Sequence, residues 1–137
     1  MNIDLDKGVL KKWDINIDKY EFTVNSMSFL KIVDTIKEVR GISEAAIAKQ
    51  MGLNRQNLYQ IRKRGTNLHR NSVINYLSRL GVDPKTILVV KKNLSIDPSE
   101  KLFLHLFKNN IGLMIKYSDE INEYVKQLAD KEKEEQD

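Results

Sequence analysis

The sequence predicts a mainly α protein: an N-terminal arm, a compact five-helix unit and a long C-terminal helix. Three observations predict it. Apolar residues recur at helical spacing through most of residues 28–128. Gly41, Gly52, Gly65 and Gly81 each follow such a stretch, where a helix C-terminus favours a left-handed residue. Ser, Asn or Asp residues precede the stretches, where their side chains can accept from unpaired backbone N–H groups.

Residues 1–27 read as an arm. Tyr20, Phe22 and Val24 alternate with polar residues at strand period, which gives the arm room for one short strand, and Trp13, Ile15 and Ile17 are available to pack. Ser26 and Ser28 are candidate caps for a first helix whose apolar face is Phe29, Ile32, Val33, Ile36 and Val39. Ser43 caps a second helix, ended by Gly52, and Asn54 caps a third over about residues 55–63. A fourth helix is expected over 70–80, with Val73, Ile74, Leu77 and Leu80 as its stripe. Asp83-Pro84 opens a short fifth helix through Ile87 and Leu88, although residues 86–90 also suit a strand that would pair with 20–24. Asp97-Pro98-Ser99-Glu100 begins a long final helix, with Asp97 as cap and Glu100 placed for a capping box, softened near residues 109–112. The resulting organisation is an arm (1–27), a central unit (28–92) and a C-terminal helical segment (93–137).

Charge is segregated along the chain. The 137 residues sum to +4, but residues 29–92 carry 13 Lys/Arg against 4 Asp/Glu, whereas residues 93–137 carry 6 Lys against 10 Asp/Glu. A concentrated basic field attracts polyanions through counterion release. There is no cysteine, which removes disulfides and thiolate chemistry and suits a cytoplasmic protein. No apolar run approaches the ~20 residues of a bilayer span, so no membrane partner is expected. The N-terminus lacks the basic-then-apolar order of a secretory signal.

Residues 43–65 carry the most specific pattern. Two short helices joined through Gly52-Leu53-Asn54 must approach closely, which calls for a small residue at the crossing (Ala48) and a residue able to take positive φ in the turn (Gly52). Ile47, Leu53, Leu58 and Ile61 supply apolar plugs at the matching offsets. From Ala45-Ala46-Ile47-Ala48 through Gly52 to Leu58 and Ile61, ending near Gly65, the chain resembles the phage-repressor and Cro-like helix-turn-helix regulators, also called the Xre type. The resemblance covers about residues 28–90 and implies that family's five-helix fold and sequence-specific binding of double-stranded DNA in transcription regulation, as in a phage or bacterial repressor.

The resemblance places Arg55 and Gln56 at the leading base-reading positions of the third helix. Arg suits guanine O6/N7 and Gln suits adenine N6/N7. Asn57, Tyr59 and Gln60 add contacts along the same helix. Arg62, Lys63, Arg64, Thr66, Asn67, His69 and Arg70 are assigned to phosphate: residues 55–70 hold five Lys/Arg and no carboxylate. The chain departs from the family at Glu44, where Gln is common. A carboxylate there suits a helix N-terminus but repels a phosphate. It departs again at Ile61-Arg62-Lys63-Arg64-Gly65, one residue longer and more basic than the usual helix end.

Phe107, Ile111, Met114, Ser118, Ile121, Val125 and Leu128 step by four and three, the spacing of a heptad seam. All but Ser118 are assigned to a homodimer interface. The alternatives are that this helix folds back on its own core or captures a second protein. His69 and His105 form no ligand pair, and no phosphate loop, nucleophile elbow or metal spacing is present. The expectation is a non-enzyme without catalytic residues, metal or cofactor, and no ligand pocket is evident. Two further function classes fit: a protein-interaction module, as in an antitoxin-like or adaptor subunit, and a nonspecific architectural DNA binder.

Overall fold

The computed structural model describes residues 7–65, 67–92 and 96–136. The described residues are mainly helical, with one small two-stranded sheet. The arm contains α1 (Lys7–Lys12), a 3-10 turn (Ile17–Lys19) and β1 (Thr23–Val24). The central helices are α2 (Ser26–Arg40), α3 (Glu44–Gln50), α4 (Arg55–Arg64) and α5 (Arg70–Arg79), with β2 (Leu68–His69) before α5. A 3-10 turn (Pro84–Thr86) leads on to α6 (Pro98–Asn109) and α7 (Ile111–Gln136).

The core is one cluster. Phe29, Ile32, Val33 and Ile36 of α2 meet Ile47 and Ala48 of α3, Leu58 of α4 and Val73, Ile74 and Leu77 of α5, all essentially without solvent exposure. Met51, at the end of α3, is equally buried. Leu53 and Ile61 sit half-buried against the cluster. Val39, expected on the apolar face of α2, is exposed.

Several local expectations resolve differently. Asn25, rather than Ser26 or Ser28, caps α2 by accepting from the Met27 N–H at 2.7 Å. Ser26 is buried inside the first turn. The fifth helix is only a 3-10 turn, capped by Asp83. The expected pairing of residues 86–90 with 20–24 exists as a single bridge, Tyr20 to Val90. The strand proper, β1, pairs instead with β2, Thr23 opposite His69 and Val24 opposite Leu68. The arm is therefore stitched on both sides, and Ile15, Tyr20 and Val24 are core residues.

The C-terminal segment folds back. Asn110 adopts φ −136° and ψ 43° and separates α6 from α7, at the softening expected near residues 109–112. Phe107 (3% exposed) and Ile115 (fully buried) belong to the core, and Ile111 and Met114 pack against it. α7 lies along α2, where Arg40 binds both carboxylate oxygens of Asp119 at 3.0 and 2.5 Å. Asn122 donates to the Gly81 carbonyl at 3.2 Å. Phe107, Ile111 and Met114 are thus not free for a dimer seam, since the chain's own core occupies them. Asp97 caps α6 as expected. Glu100 does not close the box; it reaches the arm, accepting from Lys19 at 3.2 Å and from the Tyr20 hydroxyl at 3.0 Å. No helix of the described residues is long and apolar enough to cross a membrane.

Candidate nucleic-acid interface

The pair α3–α4 is set by caps and by one tight turn. Ser43 Oγ accepts from the Ala46 N–H at 3.1 Å. At the start of α4, Asn54 and Asn57 form a reciprocal box, each side-chain oxygen accepting from the other's backbone N–H at 2.7 and 3.1 Å. Such a cap is worth roughly 1 kcal/mol, and it fixes where α4 begins. In the turn, Gly52 has φ +80° and lies against the Arg79 guanidinium, 1.6 Å from where a Cβ would sit. Arg79 in turn donates to the Met51 carbonyl at 3.1 Å. The positive φ is the reason for glycine at this turn, and the Arg79 head group packs into the space that its missing side chain leaves.

Leu58 anchors α4 in the core. The opposite face presents Arg55, Gln56, Asn57, Tyr59, Lys63 and Arg64 to solvent, with Gln60 half-buried. Asn57 Oδ1 is occupied by the cap, which leaves its amide NH2 for outward bonding. The Lys63 ammonium stands 6.0 Å from the Tyr59 ring centroid, a loose cation–π contact.

The basic residues assigned to phosphate divide in two. Lys63, Arg64 and Asn67 are exposed. Arg62 is committed to carboxylates: it binds both oxygens of Glu44, each at 2.8 Å, and both of Asp34, at 2.6 and 3.3 Å. Arg70 is buried, donating to the carbonyls of Ile17 and Tyr20 at 2.9 and 3.0 Å and lying 4.4 Å over the Phe22 ring. His69 caps α5, its Nδ1 accepting from the Asn71 N–H at 3.1 Å, with Phe22 edge-on at 5.4 Å. Arg62 and Arg70 are therefore corrected from phosphate contacts to structural groups, and His69 has one ring nitrogen already engaged. Thr66 lies outside the described residues.

The Glu44–Arg62–Asp34 group was not foreseen. Arg62 lies 18 residues from Glu44 and 28 from Asp34, so no local spacing marks it. It ties α4 to α2 and α3 and pairs with both carboxylates. The Arg62 guanidinium, and secondarily Lys37, holds the Glu44 carboxyl below its ordinary range. A carboxylate with a depressed folded pKa stabilises above its unfolded value and ceases to do so as pH falls through the folded one. Glu44→Gln should therefore lower the melting temperature at pH 7, and the difference should vanish on acidification below the ordinary glutamate range. Thermal melts of both proteins across pH 7 to 3 check this; a pH-independent difference would refute the ion-pair account.

No protein-family profile, curated protein or solved structure matches this chain.

Proposed function

We propose that the protein is a non-enzymatic, sequence-specific reader of double-stranded DNA acting in transcription regulation. In this reading α3 and α4 are a helix-turn-helix in a Cro-like five-helix unit, and α4 enters the major groove. One observation carries it: the solvent face of α4 offers Arg55, Gln56, Tyr59, Lys63 and Arg64, while the neighbouring carboxylates Glu44 and Asp34 are taken up by Arg62. Arg55 and Gln56, in the first turn, choose bases. Lys63 and Arg64, in the last, hold phosphate. Selection of preferred sites from random duplex tests this. Gln56→Ala should change the preferred sequence, at about 1–3 kcal/mol of lost discrimination. Arg64→Ala should weaken all duplexes alike and reduce the salt slope by about 0.9. Equal binding of selected and random duplex, insensitive to both substitutions, would sink the reading.

The protein acts as a dimer on this proposal, through the second half of the expected seam, Ile121, Val125 and Leu128, together with the exposed residues beside it. Leu113, Tyr117, Ile121, Tyr124, Val125 and Leu128 are 46–61% exposed along α7, on the side away from Ile115 and Asn122. Such a stripe suits a helix partner. It also favours a second reading, in which the tail captures a different protein and DNA contact is secondary. Sedimentation equilibrium separates the two: a chain that stays monomeric at tens of micromolar and selects no duplex supports capture.

A further inference from the structure

We propose that the groove between α2, the 86–88 segment and α6 is a binding site for a small amphiphilic carboxylate, an apolar chain ending in an acid group. The groove measures about 300 Å³, at the lower end of the roughly 300–1,000 Å³ range of small-ligand sites. Its walls are Ile32, Ile87, Leu88, Leu104, Phe107 and Ile111. Three of these come from the central unit and three from the C-terminal segment, so the groove exists only where the tail has docked.

The groove's charge selects the ligand. Lys31 and Lys108 are among its lining residues, together with the Ser28 hydroxyl, and no carboxylate lines it. Neither lysine is ion-paired to a described residue, in contrast to Lys19, Lys37 and Lys85, which are. Two unpaired ammonium groups and a hydroxyl beside an apolar trough match an anionic head on a hydrocarbon body, and repel a cationic head on the same body. The volume limits the body to a medium-length chain or one aromatic ring. Because the walls belong to two segments, the occupant bridges them, and its binding must stabilise the docked tail by mass action.

The test uses the full-length chain without DNA, so its outcome is independent of the DNA-reading proposal. Decanoate, kept below its micellar concentration, is titrated calorimetrically beside decyltrimethylammonium and acetate. Expected are saturable one-to-one binding of decanoate, at least about tenfold weaker binding of the cation, and none of acetate. Lys31→Gln with Lys108→Gln, both at exposed positions, should weaken decanoate by about tenfold or more, the loss of a charge-assisted contact. Leu104→Trp should fill the groove and remove binding. Cation binding as tight as that of the anion, an unchanged affinity in the lysine pair, or no saturation by decanoate would each overturn the proposal.

Discussion

Phe107→Ala is expected to cost about 3–5 kcal/mol of stability, the range for truncating a buried aromatic ring. Phe107 is 3% exposed, tilted against Phe103 at 6.3 Å between ring centroids, and part of the one continuous core. Its loss leaves a cavity where α6 hands the chain to α7, so it loosens the seating of Ile115 on α2 as well. Chemical denaturation at two protein concentrations is the measurement. A change in midpoint that is large and concentration-independent identifies Phe107 as a core residue of one protomer. Ile121→Glu supplies the contrast. Ile121 is 60% exposed, so its replacement should leave the intrinsic stability of the protomer within about 0.5 kcal/mol while disrupting association. A small loss at Phe107 that depends on protein concentration would return it to an intermolecular seam.

Arg70→Ala should cost about 2–5 kcal/mol. The carbonyls of Ile17 and Tyr20 lose a charged donor; that of Ile17 keeps the Tyr20 N–H, whereas the buried Tyr20 carbonyl loses its Arg70 partner, at about 1–3 kcal/mol for an acceptor left unmade. The cation–π contact with Phe22 is lost as well. Because Tyr20 and Ile17 lie in the arm, the damage should fall on the packing of residues 7–24 against α5, visible as faster amide hydrogen exchange there. The DNA readout separates the structural role from the phosphate role first expected of Arg70. At a temperature where the variant is folded, its salt slope should equal that of the wild type. A slope reduced by about 0.9 would mean that Arg70 does neutralise a phosphate.

The sequence made the local features legible and the distant ones not. Gly41, Gly52, Gly65 and Gly81 all take positive φ, as their position after apolar runs predicts, and the α3–turn–α4 plugs pack as their offsets require. These are properties of short consecutive stretches. What escaped depends on partners far along the chain. Arg62 and Arg70 look like members of a basic run until Glu44, Asp34 and the arm carbonyls are brought to them. The heptad spacing of residues 107–128 is real, but its first half is spent on α2. Periodicity tells that a helix has an apolar face and not what that face meets. The groove beside Lys31 was invisible for the same reason: its walls come from α2, the segment after Pro84, and two tail helices.

Arg40 carries a consequence for how the chain assembles. Its guanidinium binds Asp119 of α7, the Gln50 side chain at the end of α3 at 3.1 Å, and the Leu80 carbonyl after α5 at 2.6 Å. The acceptors on α3 and α5 are gathered by the central unit itself, whereas Asp119 arrives from 79 positions away. Closing so long a loop is entropically costly before its contacts exist. The tail is therefore expected to lock last, onto a body whose Arg40 is already oriented, with its bonds absent from the folding transition state. Asp119→Ala should accordingly speed unfolding and leave the refolding rate unchanged in a chevron analysis. The lifetime of the native state would then depend on Arg40, a residue outside α4, through the rate at which the last helix lets go.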